Sequence, residues 1–122
     1  MKILHLAPEG NNCGIATYTT NLITHFTSSK AHERYVIPPK PDLARLTEEE
    51  VLGFFEEFIE YAEGYDVIHL QSEYGLYNGP GRTSFGLKVF LKILEGLRAL
   101  GKKVFVTFHS EPVFLKALGL FN

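Results

Sequence analysis

Apolar residues recur along this chain with two alternating periods. Lys2 to Leu6 is a short, mostly apolar run that stops at Ala7-Pro8-Glu9-Gly10-Asn11-Asn12, a cluster of turn formers that ends a strand. From Gly14 the spacing changes. Ile15, Tyr18, Leu22, Ile23 and Phe26 recur every three to four residues, which predicts one buried helix face running to about Ser28. Arg34 to Ile37 has β-favouring side chains and predicts a second strand, with Pro38-Pro39-Lys40-Pro41 imposing an extended exit. Thr47-Glu48-Glu49-Glu50 reads as a capping box that opens a second helix, whose stripe is Val51, Phe55, Phe58, Ile59 and Ala62 and whose end is Gly64.

Asp66 to Gln71 predicts a third strand, buried on both faces because successive positions are apolar. A long loop, Ser72 to Gly81, leads to a third helix carrying Phe85, Val89, Ile93, Leu94 and Leu97, which Gly101 stops. Val104 to Phe108 is the fourth strand, ending at His109-Ser110-Glu111-Pro112. Strands that alternate with helices and connect by right-handed crossovers define an α/β fold, a Rossmann-like doubly wound parallel sheet with helices on both faces. Only one strand separates the first from the Asp66 strand, so the expected order is 2-1-3-4 rather than 3-2-1-4. No linker or repeat divides residues 1–122, which read as a single domain.

Composition narrows the function classes. With 45% hydrophobic and 21% charged residues the chain has an ordinary globular make-up. Its net charge of −2 offers no cationic excess for a phosphate backbone, so no nucleic-acid partner is expected. The single cysteine, Cys13, cannot close an internal disulfide and has no zinc-type companions, which fits a cytoplasmic setting. The first apolar run is broken by His5 and is too short for a signal peptide, and no stretch reaches transmembrane length, so any membrane contact is expected to be peripheral.

In such a sheet, ligands bind beyond the C-terminal strand ends where strand order reverses. Three loops meet there: Pro8 to Gly14, Ser72 to Gly81, and His109-Ser110-Glu111. Gly10, Gly14 and Ile15 belong to a glycine loop that opens a helix, where free N–H groups can hold a phosphate or a sugar hydroxyl. The loop is not G-x-G-x-x-G, no acidic residue ends the second strand, and no G-x-x-x-x-G-K-[ST] phosphate loop is present. Glycines that merely let a strand turn into a helix are an equal reading.

His109, at the exit of strand four, can donate a hydrogen bond or shuttle a proton, although taken alone it reads as a surface-loop histidine. Glu73 and Glu111 can bind hydroxyls or act as bases, or are solvated loop residues, the two readings being even for Glu73 and the solvated one leading for Glu111. Tyr74 and Tyr77 offer rings for stacking on a sugar, or an apolar cluster that closes the loop. His5 and His69 read as core histidines bonded to neighbours, and His25 and His32 as solvent-facing residues.

Together, the glycine loop, Asp66-Val67-Ile68-His69-Leu70-Gln71-Ser72-Glu73-Tyr74-Gly75-Leu76-Tyr77 and Val106-Thr107-Phe108-His109 resemble the N-terminal, acceptor-side domain of the family-4-like (group 1) retaining glycosyltransferases of GT-B fold. The resemblance covers essentially the whole chain. It implies a catalytic role for His109 against the transferring sugar, with Gly10, Gly14 and Ile15 near the donor diphosphate. Glu73, Tyr74, Tyr77, Ser110 and Glu111 would line the substrate side.

It also implies a nucleotide-sugar donor as substrate, no cofactor and no metal. A second, donor-binding domain or partner chain carrying the E-x7-E element would be needed, without which the chain is expected to be inactive. Family members continue beyond the position of Asn122, and the stretch before Asp66 is shorter here than theirs, so the chain reads as a truncated piece or one part of a split enzyme.

A stand-alone Rossmann-like binding or scaffolding module is the alternative. A phospho-receiver would need an aspartate where Gln71-Ser72 stands. The outer edge of strand four, if terminal, favours a homo-oligomer or pairing with another chain.

Overall fold

The computed structural model describes residues 1–9, 14–25, 31–72, 76–77 and 83–109. Four strands, β1 (Ile3–Pro8), β2 (His32–Ile37), β3 (Val67–Ser72) and β4 (Lys103–Phe108), form one sheet in the order β2-β1-β3-β4. All neighbours run parallel, with Ile3 opposite both His32 and Val67, and Val67 opposite Lys103. The helices are α1 (Gly14–Thr24), α2 (Lys40–Arg45), α3 (Glu48–Tyr61) and α4 (Thr83–Ala99). This is the expected α/β Rossmann-like architecture.

The two sheet faces differ. Leu4, Leu6, Ile68 and Leu70 join Phe55, Phe58, Val89, Phe90, Ile93 and Leu97 from α3 and α4 in one buried cluster. Gly96 lets those two helices approach, since a Cβ there would lie 2.6 Å from Ile59 Cδ1. The opposite face carries His32 and Arg34 of β2, His5 of β1, His69 and Gln71 of β3, and Thr107 of β4. Of the described helices, α1 is the one hydrogen-bonded to these side chains.

Local signals account for the helix ends. Thr47 Oγ1 accepts from the Glu50 N–H at 3.1 Å, and the Glu50 carboxylate accepts from the Thr47 N–H at 3.0 Å, which completes the capping box expected from sequence. Gly101, at φ 71°, donates to the Arg98 carbonyl while Lys102 N donates to Leu97 O, closing α4 in a left-handed turn.

The expected extended exit at Pro38 to Pro41 holds as far as Pro39, at φ −55° and ψ 147°, and is corrected beyond it. Lys40 begins α2, because a proline in a first helical turn gives up no intrahelical bond, and buried Leu43 anchors the turn to the core. Strand β2 begins at His32, two residues before the expected start at Arg34. Helix α1 is described to Thr24. The part expected to reach Ser28, with Phe26, lies outside the described residues.

Candidate functional site

Two lines of hydrogen bonds cross the strands beneath α1. The first lies at the C-terminal edge of the sheet. Thr19 Oγ1 donates to Ile15 O at 2.8 Å, so its lone pair accepts from Gln71 Nε2 at 3.2 Å. That fixes the amide of Gln71, a fully buried residue, with Oε1 toward His109. Because a carbonyl oxygen can only accept, His109 Nε2 must carry the proton of their contact.

The His109 backbone N–H donates to Ser72 O at 2.9 Å, extending the β3–β4 ladder by one step. Its ring meets the edge of Tyr18 on α1, with centroids 5.5 Å apart and planes at 79°. His109 therefore stands on the α1 side of the sheet, half-buried and held in one tautomer.

The second line lies deeper. His32 Nδ1 meets His5 Nε2 at 3.0 Å, His5 Nδ1 meets His69 Nδ1 at 2.9 Å, and His69 Nε2 meets Thr107 Oγ1 at 2.7 Å. The His5 and His32 rings stack at 5.2 Å and 20°, and His5 meets His69 edge-on at 5.1 Å and 86°. Burial and the neighbouring His69, His32 and Arg34 push the His5 pKa down to about 4. Burial also lowers His32 and His69, the latter with a smaller contribution from His109. Near neutrality all three rings are uncharged.

Each ring-to-ring contact needs one proton. Neutral rings satisfy this in either of two directions along the row. A single added proton, on His5, is also compatible with every contact, since His5 then donates both ways. A second one would set two N–H groups against each other.

Ile3, His5, Leu22, His32, Val67, His69 and Phe105 line an open depression of about 220 Å³ over this row. His5 faces its two partners through different nitrogens, so the three imidazoles do not converge on one point. Among the described residues no group of three or more His, Cys, Asp or Glu could hold a metal ion.

These placements revise several expectations. His5 and His69 are buried and bonded to neighbours as expected, but the neighbours are each other and His32. His32 is corrected from solvent-facing to half-buried, because β2 starts at this residue and turns its ring onto His5. Exposed His25 agrees with expectation.

Tyr77 offers no ring face to a sugar. It is fully buried, packs on Phe55 and Phe90, and donates its hydroxyl to Gln71 O. Ile15 likewise has a buried side chain and contributes its carbonyl to the Thr19 bond. Gly14 is the first residue of α1. Gly10, Cys13, Glu73, Tyr74, Ser110 and Glu111 lie outside the described residues.

Tyr18 was expected on the buried stripe but is 42% exposed beside His109. Tyr18 and Gln71, which touch His109, and Thr19, which holds Gln71, were missed by sequence reasoning. A glutamine at the buried end of a strand that is mostly apolar was the available signal. No helix of the described residues is long and apolar enough to cross a membrane. Comparison with known proteins found no family model, no curated protein and no solved structure that matches this chain.

Proposed function

We propose that this chain is the acceptor-side domain of a retaining, nucleotide-sugar-dependent glycosyltransferase, working in the cytoplasm with a second, donor-binding domain. The observation that carries the reading is His109. It leaves β4 at the C-terminal edge of a 2-1-3-4 sheet, on the same side as the helix that Gly14 opens, with its Nε2–H committed to Gln71. A ring so held keeps Nδ1 as an acceptor for a sugar hydroxyl, and Tyr18 beside it adds an exposed aromatic edge.

Orientation is where such a group acts. A sugar hydroxyl fixed by a pre-set imidazole loses its freedom on binding, before the glycosidic bond to the nucleoside diphosphate breaks. Charge on the leaving diphosphate would be met by basic residues of the second domain. The chain alone is expected to release no nucleoside diphosphate from UDP-, GDP- or ADP-sugars.

The test is a titration of the full chain with a panel of monosaccharides and nucleotide sugars, read by NMR at the His109 and Tyr18 rings. The reading expects saturable shifts at both rings that His109→Ala and Gln71→Leu abolish. Shifts at neither ring with any member of the panel would refute it. Transfer that appears only when a donor-binding domain is supplied separates an enzyme part from a plain binding module.

A further inference from the structure

His109 has two chemical faces to offer a ligand, and a residue not bonded to it decides which one is shown. A neutral imidazole that carries its proton on Nε2 presents a bare Nδ1, which accepts from a hydroxyl; with the proton on Nδ1 it donates instead. The choice is passed along a line from Ile15 and Thr19 of α1, through Gln71 of β3, to His109 at the exit of β4. Thr19 and Gln71 are both fully buried, so neither can exchange its partner for water.

Two arrangements of protons fit these groups. In the first, Thr19 Oγ1 donates to Ile15 O at 2.8 Å and accepts from Gln71 Nε2 at 3.2 Å, while Gln71 Oε1 accepts from His109 Nε2. In the second, the Gln71 amide is turned over. Thr19 must then donate to Oε1, Gln71 Nε2 donates to His109 Nε2, and the ring proton of His109 moves to Nδ1. A hydroxyl has one proton, so Ile15 O then loses its side-chain donor. The first arrangement makes three bonds and the second makes two. One buried hydrogen bond separates them, a preference on the order of tenfold.

We infer that Thr19 is the positioning residue of the His109 site: its hydroxyl, held by the backbone of its own helix, fixes the Gln71 amide and so makes His109 an acceptor toward its ligand. Without that hydroxyl each arrangement keeps a single bond, the one between Gln71 and His109, and the preference disappears.

No other neighbour makes the choice. Tyr18 meets the ring by an aromatic edge, and Ser72 O holds the backbone N–H, so neither selects a ring nitrogen. The deeper imidazole row ends at Thr107, where His69 Nε2 has its partner. For the ligand, the consequence rests on the reading of His109 as a sugar contact and narrows it: the group that meets Nδ1 is a proton donor such as a sugar hydroxyl, not a phosphate or carboxylate oxygen. Control of the tautomer stands apart from that reading.

Long-range proton–nitrogen NMR spectra of the full chain at about pH 8.5, where imidazoles are ordinarily neutral, count the two tautomers of His109 directly. Wild type should show the Nε2–H form in excess. Thr19→Val, which keeps the shape and removes the hydroxyl, should lower the ratio of Nε2–H to Nδ1–H about tenfold, and Thr19→Ala should do likewise. Thr19→Ser, which restores the hydroxyl, should return the wild-type ratio, an outcome that packing alone does not produce. An unchanged ratio in the valine and alanine variants overturns the inference, whether or not sugars bind. A ratio that follows the hydroxyl while no sugar shifts the ring supports it, and counts against the enzymatic reading alone.

Discussion

Acid should weaken this fold through the imidazole row, and His5 sets the size of the effect. Its pKa lies at about 4 in the folded chain against 6.5 in an unfolded one, because burial and the adjoining His69, His32 and Arg34 disfavour the charged ring. Between those values the unfolded chain binds a proton that the folded chain refuses. The stabilising contribution is therefore complete above pH 6.5, falls as pH drops toward 4 and changes no further below it. The gap corresponds to about 3 kcal/mol, a large share of the 5–15 kcal/mol that typically holds a domain together. His69 and His32, also lowered, add in the same direction.

The variant His5→Leu isolates the effect. At pH 7.5 it leaves the facing nitrogens of His69 and His32 without His5, which should cost about 1–3 kcal/mol, although a leucine suits the neighbouring Ile3, Leu22 and Val67. Urea unfolding of both proteins from pH 7.5 to 4.5 should show this gap closing or inverting as the wild type loses its His5 contribution. Glu33, held low by hydrogen bonds from Tyr65 and Tyr61, also responds to acid, but it does so in both proteins and cancels. A gap that stays constant across the range, or a His5 ring signal titrating near 6.5, would refute the reasoning.

Two further outcomes follow from packing. Gly96→Ala should destabilise the wild type through the contact with Ile59, yet stabilise an Ile59→Ala background by about 1 kcal/mol, the helix preference for alanine over glycine; thermal melts of the four proteins decide it, and destabilisation in both backgrounds counts against the contact. Tyr77→Phe should cost about 1 kcal/mol for the lost bond to Gln71 O and Tyr77→Ala about 3–5 kcal/mol, whereas an unchanged denaturation midpoint in the alanine variant would return Tyr77 to the list of ligand-facing rings.

The strand order, the capping box at Thr47 and the stop at Gly101 were legible because each rests on a local rule that tertiary structure has no reason to break. Helix α2 was not, since Lys40-Pro41 reads as an extended exit until Leu43 is seen to be buried. His32 was missed because the polar sequence before Arg34 gives no sign that β2 starts there. Once it does, strand pairing sets His32 beside Ile3 and turns the ring toward His5. Tyr18 was misassigned for a related reason, while of the two readings of Tyr77 the apolar cluster is the one that holds. Periodicity assigns a helical residue to a stripe, but burial along α1 and after β3 is decided by how far the neighbouring elements reach.

The contrast between the two faces of the sheet bears on where function lies. A parallel strand buried on both sides is most simply built from aliphatic residues on both, as the α3–α4 face is. The α1 face instead buries His5, His69 and Gln71, each of which must find partners in neighbouring strands or helices to avoid the cost of a lone polar group. Those partners exist only in this register: a slip of one residue would turn His69 away from His5 and Gln71 away from Thr19. Arg34 adds a bond from β2 to Thr20 of α1 at 2.6 Å, so directional contacts as well as apolar area set the helix on the sheet. The same contacts that place α1 also place His109, through Gln71 and Thr19. Stability alone would be served as well by apolar residues at all of these positions together, whereas a histidine with one tautomer and one orientation requires this polar line.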